Sequence, residues 1–181
     1  MNQWNIGSVK VTRVVEMQVS GGTRFILPDA TRDKVKTIEW LQPHFADEEG
    51  NLIMSIHALI VETPTRKIIV DTCIGNDKKR NIPNWNNLQL PFLEDLKKAG
   101  YAQADIDTVL CTHLHVDHVG WNTMLVDGQW LPTFPNARYL MGETEFNYWI
   151  DQSDPTYGDV IGDSVKPVFE AGLVDLSLIH I

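Results

Sequence analysis

The segment Thr112-His113-Leu114-His115-Val116-Asp117-His118-Val119-Gly120 places three of the chain's six histidines and one aspartate within six positions. A strand over Ile106–Thr112 would deliver the chain to a sheet edge, where extended backbone puts His113 and His115 on the same side. Their imidazoles can then grip one borderline-soft cation. The backbone turns after Val116, so Asp117 and His118 can point at a second cation beside the first, and Gly120 permits a tight exit. Two divalent cations about 3.5–4 Å apart share a bridging water, lower its pKa towards neutrality and polarise a carbonyl or phosphoryl oxygen. The alternative is a histidine cluster without metal, which packs three imidazoles together with no cation among them and is electrostatically awkward.

The elements that must position these residues are legible along the chain. Val9–Met17 reads as a β-branched strand, Gly21-Gly22 as a turn, and Lys36–Leu41 as a short strand. Asp47–Asn51 is a turn opening a hairpin, and Leu52–Glu62 and Lys67–Asp71 are strands joined by the loop Thr63–Arg66. Gly75–Asn87 reads as a polar surface loop, with Lys78-Lys79-Arg80 on a solvated face. Pro91–Gly100 is a short amphipathic helix with Phe92, Leu93 and Leu96 on its stripe and Gly100 as C-cap. The strand Ile106–Thr112 then enters the histidine segment. Ala137–Met141 is a further strand, and Glu143–Ile150 and Asp163–Ala171 are helices. Strands first, then strands alternating with helices, predict a layered α/β (α+β) domain with a mixed sheet.

At this point the residues resemble a known family. The pattern His113-x-His115-x-Asp117-His118 is similar to the signature of the metallo-β-lactamase superfamily, an αββα sandwich with a metal site at one edge of its two sheets. Val70-Asp71-Thr72 resembles that family's upstream motif, in which an aspartate ends the preceding strand and orients the metal loop by hydrogen bonding. The segment from Thr112 to Asn122, with Phe134–Tyr139 after it, resembles the branch of acyl-homoserine-lactone lactonases and methyl-parathion-hydrolase-like proteins. The resemblance implies that His113 and His115 bind one metal and Asp117 and His118 a second, these last two also belonging to the catalytic machinery, with Asp71 behind them. It further implies two zinc ions, with iron or manganese as alternatives, and hydrolysis of a small ester-, lactone- or phosphotriester-like substrate by a bridging hydroxide. An iron-dependent oxidoreductase of the same fold, and a non-catalytic fragment with a partial metal site, are the competing functions.

The sequence departs from the family after His118. Members complete the site with a downstream Gly-His-Thr-x-Gly-His context and a bridging aspartate, and none of that context follows here. The one later histidine, His180, lies in the apolar run Leu176–Ile181, and Asp159, Asp163 and Asp175 have no bridging context. The expectation is therefore a single domain over residues 1–181, mainly the N-terminal half of the sandwich, incomplete at its C-terminus and with about 176–181 not native sequence.

Composition bounds the rest. The chain has 181 residues, 24 acidic against 15 basic, a formal charge of −9 and 43% apolar residues. That is enough apolar content for one core and the wrong charge for a nucleic-acid partner. Met1–Asn5 shows no secretory signal pattern, and no run approaches the ~18 apolar residues of a membrane span. Cys73 and Cys111 lack Cys-x-x-Cys spacing. The expected setting is cytoplasmic, with a small-molecule substrate and neither nucleic acid nor membrane as partner. His57 is expected as a strand histidine without metal, His44 as an exposed loop residue, and Trp85, Trp121 and Trp130 as packing residues.

Overall fold

Alternation of inward and outward side chains builds the long strands. In β2 (Val9–Ser20) Thr12, Val14 and Glu16 are buried, and in β3 (Ile53–Glu62) Ile56, Ala58 and Ile60, the period-two pattern of a pleated sheet with one covered face. The computed structural model describes residues 2–152 and 156–177. β1 (Asn2–Ile6) pairs antiparallel with β2, and β3 with β4 (Lys67–Val70). β4, β5 (Thr108–Leu110), β8 (Arg138–Gly142) and β9 (Val174–Ser177) run parallel to one another. The order β1-β2-β3-β4-β5-β8-β9 makes one seven-stranded mixed sheet, and β6 (Thr123–Val126) with β7 (Gln129–Pro132) forms a separate hairpin.

The chain divides into two units, residues 1–16 with 57–181, and residues 17–56. The core of the larger unit is centred on the parallel strands: Ile60, Ile69, Val109, Tyr139 and Met141 are fully buried. Its helices are α2 (Phe92–Lys98), α3 (Glu143–Trp149), α4 (Val160–Ser164) and α5 (Lys166–Glu170). The smaller unit holds α1 (Arg32–Lys36) and the tight turn 47–51, in which Asp47 accepts hydrogen bonds from Ser20 Oγ at 2.5 Å and from Asn51 N at 2.8 Å. Among the described residues, no helix is long and apolar enough to cross a membrane.

Most expected elements are present; five segments differ. Lys36–Leu41 is not a strand: Lys36 ends α1, whose start is capped by Thr31 Oγ1 accepting from Lys34 N, and Glu39–Leu41 is a 3-10 turn in an exposed stretch. Helix Asp163–Ala171 is split at Val165, because Pro167 cannot donate the amide a continuous helix needs there. The hairpin β6–β7 was signalled only by Asp127-Gly128, whose φ angles of 50° and 79° suit a two-residue turn. Part of the apolar C-terminal run is β9; residues 178–181, His180 among them, lie outside the described residues.

The fifth difference is the polar loop after β4, where two of the three basic residues point inward. Lys78 is 0% and Arg80 4% exposed. Lys78 Nζ donates to Thr123 Oγ1 at 2.5 Å and to the Asp163 carbonyl at 2.8 Å, and lies 3.6 Å from the centroid of the Trp130 ring. Arg80 grips the Asp163 carboxylate with both terminal nitrogens, at 2.6 and 2.9 Å. A bidentate guanidinium–carboxylate pair of this kind suits burial far better than an unpaired charge, which is why the loop can fold inward despite its composition.

Candidate metal centre

Parallel strands β4 and β5 end at the same sheet edge, and the segments that follow them carry the chemistry. β4 ends at Val70, and Asp71 turns away with φ 56° while its amide still bonds the Leu110 carbonyl at 2.9 Å. β5 ends at Leu110, and the histidine segment begins two residues later. Leu114 and Val116 are buried, whereas His113 and Asp117 are half-buried and His115 is exposed. Apolar anchors thus alternate with polar groups, so the segment is rooted in the core while its imidazoles stand outward.

Asp71 organises the cluster. Its carboxylate accepts from Thr112 N at 2.8 Å, from Thr112 Oγ1 at 2.8 and 3.0 Å, and from His118 Nδ1 at 2.8 Å. With its one hydroxyl proton directed at Asp71, Thr112 Oγ1 accepts from His113 Nδ1 at 3.0 Å. One carboxylate therefore fixes two tautomers, His118 directly and His113 through Thr112, and leaves both Nε2 lone pairs available. The His113 ring lies 4.0 Å from that of His118 and 4.5 Å from that of His115, and His118 Nε2 is 3.6 Å from Asp117 Oδ2. Burial, then the neighbouring His118 and His115, push the His113 pKa down. Burial also opposes charging of His118, but the Asp71 hydrogen bond and the Asp117 charge outweigh it and raise its pKa.

The loops 71–75 and 118–121 are laced together. Thr72 N donates to the His118 carbonyl at 2.7 Å, Gly120 N to that of Cys73 at 2.8 Å, and Trp121 N to that of Thr72 at 2.8 Å. The approach is so close that a Cβ on Gly120 would stand 1.7 Å from the Ile74 carbonyl oxygen. Gly120→Ala is expected to unseat the histidine loop and to lower the melting temperature by several degrees. A thermal melt checks this, and an unchanged melting temperature would show that the two loops can separate.

Two acidic residues absent from the expected site also hold it. Glu145 on α3 accepts from Leu114 N at 3.1 Å and from Trp149 Nε1 at 2.9 Å, and the Trp149 ring stands edge-on to His115 at 6.0 Å. Its signal in the sequence was the Glu-x-x-x-Trp spacing on one helix face. Glu16 was signalled only by an acidic residue at an inward position of β2. Its buried carboxyl is pushed up by desolvation against opposing hydrogen bonds from Ile74 and Gly75. Beside His115 lies a cavity of about 300 Å³ whose walls include Leu114, Val116, Trp149, Val160 and Ile161.

The donor types fit a borderline divalent cation: three imidazoles, at least two with oriented Nε2 atoms, and one carboxylate. The His113 ring faces those of both His118 and His115, and Asp117 lies beside His118. Among the described residues, no group of three His, Cys, Asp or Glu side chains is placed to hold one ion together. His57, half-buried on β3, and the exposed His44 are not among the residues these contacts join.

A mixed sheet whose strand ends present a His-x-His-x-Asp-His loop over a supporting aspartate defines a class, and comparison with known proteins agrees. Residues 54–180 match the family model of the metallo-beta-lactamase superfamily, and the chain belongs to that superfamily. Among solved structures it is similar to hydrolase AbOPH of the beta lactamase superfamily, at 23% identity and TM-score 0.66 over 97% of this chain and 60% of that one. It is similar to AidC, a dizinc quorum-quenching lactonase in complex with a product, at 21% identity and TM-score 0.65, with the same coverages. A probable metal-dependent hydrolase from Staphylococcus aureus gives 20% identity and TM-score 0.63, over 96% of this chain and 60% of that one. These likenesses establish a shared fold, of which the large sheet and its few helices are the part present. The chain spans about 60% of the length of these structures. No curated protein matches the chain.

Proposed function

We propose that this chain carries the metal-binding loop of a metal-dependent hydrolase acting on a small ester-, lactone- or phosphotriester-like substrate. The observation that carries the reading is the Asp71 carboxylate fixing the tautomers of His118 and, through Thr112, of His113, at the edge of the parallel strands and beside the cavity next to His115. His113 and His115 would hold one cation and Asp117 and His118 another, zinc in each case; a divalent cation there supplies Lewis acidity and makes water acidic near neutral pH. The chain's own residues orient the imidazoles, root the loop through Leu114 and Val116, and wall the substrate space with Trp149 and Ile161. Because no three of the described donors are placed to hold one ion together, further ligands are needed to close the site, and we place them in sequence beyond this chain, in line with the 60% coverage of the solved structures. The two buried free cysteines suit a reducing, cytoplasmic setting.

The test is metal stoichiometry on this chain and on the protein at the length of its structural neighbours. Zinc or cobalt bound weakly by the chain and at two equivalents by the longer protein, with lactone or ester turnover by the latter, is the expected result. Absence of metal from both at saturating zinc overturns the reading. Bound iron with oxygen consumption would replace it with an oxidoreductase.

A further inference from the structure

Glu16 is 7% exposed and sits on β2, far in sequence from the histidine loop, yet three N–H groups converge on its carboxylate. Oε2 accepts from Ile74 N at 2.8 Å, and Oε1 from Gly75 N at 3.0 Å and from Trp121 Nε1 at 2.7 Å. Two of these donors belong to the loop after Asp71 and the third to the residue that follows Gly120, so one side chain grips both laced segments. The Trp121 ring is stacked on Phe92 of α2 at 5.7 Å, which fixes the indole N–H against the carboxylate.

We infer that Glu16 is a positioning residue that clamps the Asp71 loop to the histidine loop and so sets the spacing of the proposed metal ligands. This rests on the metal-loop reading above. The physical case has two parts. An acidic side chain at this position needs a built environment: a buried carboxylate is costly unless its lone pairs are filled, and here two backbone donors and one indole donor fill them. The grip is also transmitted without slack. The amides of Ile74 and Gly75 are in the stretch whose neighbours Thr72 and Cys73 bond the carbonyl of His118 and the amides of Gly120 and Trp121. Gly75 and Gly120 touch so closely that a Cβ on Gly75 would lie 2.8 Å from the Gly120 carbonyl. Movement at Ile74 therefore moves the backbone of His118, and with it the geometry between His118 and Asp117.

Glu16→Gln presents an amide N–H₂ where one donor now points, and Glu16→Ala leaves all three donors buried without an acceptor. For Glu16→Gln the expected result is a zinc affinity at least tenfold weaker in a competition titration, an altered cobalt absorption spectrum, and lost hydrogen-exchange protection at the Gly120 and Trp121 amides. Val168→Ala, a core change on α5 away from the loops, should lower stability comparably and leave metal affinity and loop protection as they were. Trp121→Phe, which keeps the ring on Phe92 but removes one donor, should weaken zinc binding by about threefold and serves if Glu16→Gln does not fold. Parental zinc affinity, cobalt spectrum and amide protection in Glu16→Gln or Trp121→Phe would overturn the inference. If the loop amides lose protection but the parent chain and its longer form bind no zinc, the clamp stands and the metal reading falls.

Discussion

In the protein at the length of its structural neighbours, His115→Ala lowers zinc affinity by more than about 100-fold, while His57→Ala leaves metal content intact. The imidazole of His115 is exposed and projects from a segment anchored by Leu114 and Val116 on either side. Its removal leaves that anchoring in place, so the folded fraction should not change. What is lost is one of the two imidazoles proposed for one cation, and with so few ligands each missing one costs steeply. His57 lies on β3, outside the segment that carries the proposed ligands. Metal analysis after dialysis, with circular dichroism on the same samples, checks both variants; equal loss of metal in the two would overturn the assignment of roles.

Asp163→Ala destabilises the fold by about 3–5 kcal/mol, the scale for removing one partner from a buried ion pair. In a chain of this length that is a fall in melting temperature on the order of 10 °C. The carboxylate holds the Arg80 fork and lies 3.7 Å from Lys78 Nζ, so without it Arg80, and Lys78 when protonated, lose the carboxylate that both of them contact. Stability should also depend on pH through Lys78. Burial lowers its pKa to about 7, and Arg80 pushes the same way while Asp163 opposes. In the unfolded chain the amine keeps its ordinary value of 10.5, so between about pH 7 and 10.5 the unfolded state binds the extra proton. Stability from this group therefore rises with pH across that window, by up to about 1.4 kcal/mol per unit, and is flat below it. Denaturant unfolding at pH 6.5 and 9 checks the slope. Lys78→Met, which fills the same space against Trp130 without a charge, should flatten it; an unchanged slope would place the titration elsewhere.

What the sequence made legible was whatever leaves a periodic or compositional trace. β2, β3, β4, β8, α2 and α3 show as apolar alternation or a helical stripe, and the histidine segment shows by density alone. Gly100, at φ 97°, ends α2 as its type predicts. Asp71 was legible as a strand-end aspartate, though its hold on Thr112 and on two imidazoles needed coordinates. Residues whose meaning depends on partners far along the chain were not legible. Lys78 and Arg80 look like solvated charge until Asp163, more than 80 positions on, is folded against them. Glu16 reads as one polar residue in an imperfect strand, because its three donors come from positions 74, 75 and 121. Asp127-Gly128 carried a turn signal between two short runs too weakly alternating to be read as strands.

The interlocked loops also bear on transplantation. A nine-residue histidine segment looks portable, and grafting it onto the end of another parallel strand would seem enough to move a metal site between scaffolds. In this protein the segment is half of a joint. Its backbone amides and carbonyls are completed by residues 71–75, its tautomers are set by Asp71, and its exit passes so near the Ile74 carbonyl that position 120 has no room for a Cβ. A donor scaffold would need two adjacent parallel strands, both loops, and an acidic side chain reaching in from a third strand. The smallest unit that could be moved intact is thus a discontinuous one, assembled from three stretches of chain.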